Sequence, residues 1–184
     1  MIFGKNIPFI LFISGVSGAG KTTLLKKICS QESSESTACL HFDSIGVPSV
    51  EEMINQYGGP SEWQRAMTER WVDKLLAEYK DKKLIFLEGQ VNLMFFENAC
   101  KKHNFTNYKI ILIHCDDTIR HERLRMNREQ PELINQDMDN WAQFLKDQAI
   151  KMNVLILDSG KMTVDEMATW IMQSVDRAQA KLFL

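Results

Sequence analysis

Five short apolar runs punctuate the chain, at residues 8–14, 38–42, 83–87, 109–115 and 153–157. They are nearly continuous in Ile, Leu, Val and Phe and lack the alternation of a half-solvated strand. Strands covered on both faces have this composition, and these runs are too short for buried helices. Each is followed by polar or amphipathic sequence. Residues 21–30 put Leu24, Leu25 and Ile28 on one face, and 62–79 repeats Trp63, Met67, Trp71, Leu75 and Tyr79 at helical spacing. Residues 117–128 are charged and helical in composition, and 137–151 align Trp141, Leu145 and Gln148. Residues 163–180 open on Thr163 three positions before Glu166, a capping-box pattern. The serine-rich segment 31–37 reads as a surface connection. The order is therefore repeated strand and helix, which predicts a parallel sheet between helical layers. An insertion at about 44–80 separates the second strand from the third.

Composition changes this picture little. A chain of 184 residues fits one domain, and 45% hydrophobic with 25% charged residues is an ordinary globular balance. A formal net charge of −2 gives no start to an argument for nucleic-acid or membrane binding. The apolar run at 7–13 is too short to span a bilayer and leads straight into glycine-rich sequence. Cys29, Cys39, Cys100 and Cys115 are widely spaced with no CxxC pair, so buried free thiols and a cytoplasmic location are expected. His41, His103, His114 and His121 have no ligand spacing, and no zinc is expected.

The chemistry is concentrated in Gly15-Val16-Ser17-Gly18-Ala19-Gly20-Lys21-Thr22, which fits G-x-x-x-x-G-K-[ST] between a strand pattern and a helix pattern. Such a loop turns successive backbone N–H groups toward a phosphate, and the new helix adds its positive end. Lys21 is placed for the outer phosphates and the Thr22 hydroxyl for magnesium. Thr23 is placed for an inner phosphate oxygen. Nucleoside triphosphate and magnesium are the expected ligands.

With its preceding strand and following helix, this loop resembles that of gluconate and guanylate kinases, and the resemblance to P-loop kinases covers most of the chain. It implies a three-layer α/β/α P-loop NTPase fold, a five-stranded parallel sheet of order 2-3-1-4-5, a helical lid at about 120–140, and magnesium–ATP as donor. Asp43, after the second run, stands where shikimate-kinase-like enzymes carry an acid facing the acceptor hydroxyl or the metal. Its other reading is a cap on the next turn. Glu88-Gly89 looks like the glutamate-glycine turn of uridine-kinase-like proteins, where a carboxylate holds magnesium through water or takes the acceptor proton. Gly89 would let the backbone pass close to substrate, and Gln90 is in reach to hydrogen-bond it. Arg120, Arg123, Arg125 and Arg128 crowd the start of the lid. Arg123-Leu124 resembles the pair near adenine in gluconate-kinase-like sequences. Arg128 is expected to close on the transferred phosphate. Arg120 and Arg125 are expected to face solvent, pairing with Asp116, Asp117 or Glu122. Gly160, Lys161 and Met162 follow the fifth run, where such kinases lay adenine. Trp63 and Trp71 read as core residues first, and Gln64 and Arg65 are candidates for gripping an acceptor.

The reading that results is a small-molecule or nucleotide kinase, monomeric or homodimeric, with an NTP-binding switch or slow NTPase as its rival. A nucleic-acid end kinase is disfavoured by the lack of a basic tract.

Overall fold

The apolar runs pair edge to edge through their backbone groups. The structure, a computed structural model, describes residues 7–180. Strands β1 (Phe9–Ser14), β2 (Thr37–His41), β3 (Leu84–Gly89), β4 (Tyr108–His114) and β5 (Leu155–Asp158) form one parallel sheet of order β2-β3-β1-β4-β5. This is the predicted P-loop kinase order. Period two along β1 divides the core. Phe9, Leu11 and Ile13 join the cluster holding Leu24, Leu25 and Ile171, while Ile10 and Phe12 join that of Trp71, Leu75 and Phe96.

Seven helices cover the sheet among the described residues. They are α1 (Lys21–Cys29), α2 (Val50–Tyr57), α3 (Pro60–Glu78), α4 (Leu93–Lys102), α5 (Asp117–Met126), α6 (Gln136–Lys151) and α7 (Val164–Ala180). Helix α3 begins on Pro60, whose fixed φ and missing N–H suit a first helical position. Trp63, Met67, Trp71 and Leu75 are buried along it, so both tryptophans belong to the core. The Thr163–Glu166 box forms reciprocally ahead of α7. Two helices lie outside the elements read from periodicity. Helix α2 is opened by a Ser49–Glu52 capping box, and α4 by the Asn92 side chain accepting from Met94 N–H.

The cysteines require a correction. Cys29, the last residue of α1, is disulfide-bonded to Cys39 in β2, with Cα atoms 6.4 Å apart. Only Cys100 and Cys115 are free and buried. The pair joins two elements that meet only in the folded sheet, so spacing along the chain carries no sign of it. A cytoplasmic location therefore cannot be argued from four free thiols. No helix among the described residues is long and apolar enough to cross a membrane.

Candidate active site

Parallel strands expose a row of chain turns at their carboxyl ends, where ligands collect in open α/β sheets. Here β1, β2 and β3 finish level, with Ile13 opposite Glu88, Ser14 opposite Gly89 and His41 opposite Glu88. Chain leaving β1 becomes the phosphate loop. Gly15 has φ +150°, and a Cβ there would lie 2.3 Å from the Ile113 carbonyl oxygen, so the loop can only leave this strand through glycine. Helix α1 then starts with neither a side-chain cap nor an acidic residue in its first turn. Its positive end is left to a ligand.

Lys21 is 8% exposed, and its ammonium donates to the Val16 carbonyl at 3.1 Å. Burial pushes its pKa down. The Glu88 carboxylate opposes that, Arg128 lowers it further, and Asp43 raises it. Three groups from three separate segments are thus felt by one lysine. Glu88 is 6% exposed and accepts from the Thr22 hydroxyl at 3.1 Å and from His41 Nδ1 at 2.7 Å. The two oxygens expected around magnesium are therefore neighbours, and an oxygen-only donor set suits that ion. His41 is a site residue that the histidine spacing did not reveal. Its signal was its place, at a strand end two residues before Asp43. Asp43 sits in the 3₁₀ turn Phe42–Ile45, held by the Trp71 indole donating to the Phe42 carbonyl at 2.9 Å. Asp43 is exposed as a residue, yet partial burial of its carboxyl raises its pKa, and the Glu88 charge raises it further.

A cavity of about 530 Å³ opens beside the loop, lined by Gly20, Lys21, Thr22, Arg123, Arg128 and Met162 among others. Thr23 also lines it. Arg123 donates to the Ser159 hydroxyl at 2.9 Å and to its carbonyl at 2.8 Å, while Ser159 Oγ donates to the Ala19 carbonyl at 2.7 Å. Ser159 thus ties the loop after β5 to both α5 and the phosphate loop. A lone serine between Asp158 and Gly160 gave no sign of this in the sequence. Of the neighbouring candidates, Met162 is on the cavity wall; Gly160 packs against Ile119, and Lys161 pairs with Asp158 at 3.2 Å. A larger cavity of about 760 Å³ lies at the amino-terminal end of β4, between Tyr108 and Trp170. It holds none of the loop residues, and the chemistry selects the smaller one.

The lid arginines separate. Arg125 and Arg128 are exposed, Arg123 is half-buried, and Arg120 is fully buried. Arg120 was expected at the surface, and this is corrected. Its aliphatic stem packs beneath Gly18, and its guanidinium reaches Asp117 at 3.2 Å and also Asp139. Pairing with Asp117 is as expected, but Asp139 lies on α6, a contact made by the fold. Asp117, His121 and Asp139 gather ligand atoms within 4.8 Å of one another. The Arg120 guanidinium already supplies the positive charge there. Gln64 does not reach outward: its amide donates to the Gln90 carbonyl at 2.9 Å and accepts from Asn92 N–H at 3.0 Å. Arg65 is exposed.

A family model described as an AAA domain matches residues 11–143. No curated protein matches the chain. Among solved structures, a gluconokinase from Sinorhizobium meliloti is similar at TM-score 0.64 and 15% identity, over 96% of this chain and 97% of that one. A shikimate kinase from Acinetobacter baumannii, in complex with shikimate, is similar at TM-score 0.60 and 13% identity, over 93% and 94%. A shikimate kinase from Aquifex aeolicus gives 0.56 and 14%, over 93% and 98%. At these identities the likeness is one of fold.

Proposed function

Because this chain belongs to the AAA domain family of P-loop proteins, we propose that it is a magnesium–ATP-dependent phosphotransferase acting on a small hydroxyl compound. The observation that carries this reading is the division of labour between two carboxylates at adjacent strand ends. Glu88 is engaged by Thr22 and His41. The Asp43 carboxyl has no hydrogen-bond partner among the described residues, and its partial burial together with the Glu88 charge raises its pKa. A carboxylate that is unengaged and more basic than usual suits a general base.

In this mechanism Asp43 accepts the acceptor's hydroxyl proton as the acceptor oxygen bonds to the γ-phosphorus and the bond to the ADP oxygen breaks. Lys21 and the N–H groups of Gly18 to Thr22 hold the donor phosphates, and Arg128 closes on the moving phosphoryl group. Thr22 and Glu88 would hold magnesium, which supplies charge neutralisation at the phosphates when bound. Arg123, Ser159 and Met162 form the wall for the base of the nucleotide. The insertion at 44–80 and the lid at 120–140 are assigned to acceptor binding and closure within a single 1–184 domain.

The same arrangement bears on the acceptor. Gln64 and Met138 both reach Gln90, one from the insertion and one from the lid. Arg65, exposed one residue beyond Gln64, and Arg128, exposed just before the segment that carries Met138, supply the cations with which a phosphate or carboxylate would be gripped. The reading therefore covers anionic as well as neutral hydroxyl acceptors.

The test is a phosphoryl-transfer screen with magnesium–ATP over sugars, amino alcohols, aminoglycosides, nucleosides, nucleoside monophosphates and sugar acids. Once an acceptor is found, Arg128→Ala should lower turnover by a factor on the order of 10² while nucleotide affinity changes far less. Lysine at that position should rescue in part, because it lacks the guanidinium fork. No transfer above the background ATPase rate, together with an Arg128→Ala variant that leaves that rate untouched, would replace the kinase with the NTP-binding switch.

A further inference from the structure

The turn after β3 is tied into three surrounding elements by side-chain amides. Gly89 lets it pass beneath the 3₁₀ turn, since a Cβ there would lie 2.4 Å from that of Phe42. Gln90 Oε1 then accepts from the backbone N–H of Ser17, in the phosphate loop, at 2.9 Å. The Gln90 carbonyl accepts from Gln64 on α3, and Gln64 in turn accepts from Asn92 N–H. Gln148 on α6 accepts from Leu93 N–H at 2.8 Å and donates to the Asn92 side chain at 2.8 Å. Ser14, the last residue of β1, donates to the Val91 carbonyl at 2.5 Å and accepts from Val91 N–H at 3.3 Å. One short turn is thereby bonded to the phosphate loop, to the insertion helix and to the lid-side helix.

We propose that Gln64 and Gln90 are positioning residues that couple the state of the phosphate loop to the α3 wall of the acceptor site. A primary amide carries a donor and an acceptor on one planar group, so Gln64 clamps two backbone groups two residues apart. The bonds are partly buried, where hydrogen bonds are stronger and a broken one leaves a costly orphan. Displacement of Ser17 therefore moves Gln90, and through the Gln90 carbonyl and Asn92 it moves Gln64. The path from Ser17 through Gln90 and Asn92 to Gln64 runs through backbone and amide groups alone. It also explains why Gln64 faces inward from a helix bordering the acceptor: it sets where α3 stands and leaves contact with substrate to others. The proposal rests on nucleotide binding at the phosphate loop but not on phosphoryl transfer.

The experiment is hydrogen exchange on the full chain with and without magnesium and a non-hydrolysable ATP analogue, with affinity measured by calorimetry. In the wild type, nucleotide should slow exchange in the α1 segment and also in residues 63–72 of α3, the latter roughly fivefold or more. Gln64→Leu should keep the α1 response and lose that of α3. Gln90→Leu should also lose it, and the double variant should lose no more than either alone, the non-additivity of residues in one chain. Should leucine prevent folding, Gln64→Glu retains the acceptor for Asn92 N–H and replaces the donor to the Gln90 carbonyl by a carboxylate oxygen that repels it, with the same expected loss. Nucleotide binding with no α3 response in the wild type, or an α3 response that survives in the folded variants, overturns the coupling alone. Absence of nucleotide binding in the wild type overturns both the coupling and the kinase.

Discussion

Lys21 shows how much of the site is electrostatic. Its ammonium is buried against the Val16 carbonyl and is opposed by Arg128, while Glu88 and Asp43 favour its charge. Bound phosphate would do the same more strongly. Lys21→Ala should weaken ATP binding by at least about tenfold and leave the circular dichroism spectrum unchanged; unchanged affinity by calorimetry would remove the phosphate-cradle assignment. Asp43 gives a pH signature. Its folded-state pKa is raised, first by burial and then by Glu88. As a base it must be ionised, so kcat should fall on an acid limb lying above the ordinary aspartate range. The effect on stability has a definite sign. The native state binds this proton more tightly than the unfolded chain, so ionised Asp43 destabilises the fold. That penalty is absent below the unfolded pKa and complete above the folded one. Asp43→Asn should abolish transfer yet raise the melting temperature at pH 7, and have no such effect at pH 3. A variant that melts lower at pH 7 would contradict the raised pKa.

Among the elements, the 3₁₀ turn Phe42–Ile45 is held chiefly from outside. Trp71 donates its indole N–H to the Phe42 carbonyl, and the Phe42 ring meets Trp63 edge-on at 6.2 Å. Trp71→Phe keeps most of the packing and removes the one side-chain bond that ties this turn to α3, a loss of about 0.5–1.5 kcal/mol. The Asp43 that this turn carries should lose its fixed position, so kcat should drop several-fold with little change in the Km for ATP. A variant in which ATP binding suffers and kcat does not would mean that Trp71 supports the phosphate loop instead. Helix α3 was readable because Trp63, Met67, Trp71 and Leu75 repeat at helical spacing along it. Helix α2 was harder. It has only Met53 buried, and its sign was the Ser49–Glu52 capping box just before it. Helix α4 buries Leu93, Phe96, Ala99 and Cys100, a helical spacing hidden in an apolar stretch that follows the third strand directly.

At the scale of the whole molecule, the phosphate loop sits on the central strand, flanked by β3 on one side and β4 on the other. In the proposed site, ligand would touch the loop from β1, the Glu88 end of β3 and the loop after β5. It should therefore stabilise the fold as a unit. At a free concentration of 100 times Kd, magnesium–ATP analogue should add about 2.7 kcal/mol. For a chain of this size that is roughly 5–10 °C in melting temperature. Excess EDTA should remove most of the gain, and Glu88→Gln should mimic EDTA. A full shift in the chelator would eliminate the magnesium role of Thr22 and Glu88.

Local patterns in the sequence determined the five strands, the major helices and the phosphate loop. Each depends on residues near one another in the chain: continuous apolar runs, a 3.6-residue repeat, and a glycine-rich turn followed by lysine and threonine. The strand order came through resemblance, because spacing along the chain does not say which strands are neighbours. Tertiary structure alone decided the contacts between distant segments. His41 reaches Glu88 because β2 and β3 end level. Cys29 meets Cys39 across α1 and β2, Arg120 is buried because α6 brings Asp139 to it, and Gln64 and Gln148 converge on the turn after β3. The physical reason is common to all of them. A side chain's charge, burial and partners are set by what the fold places within a few ångströms, and for polar residues that neighbourhood leaves no periodic trace in the sequence.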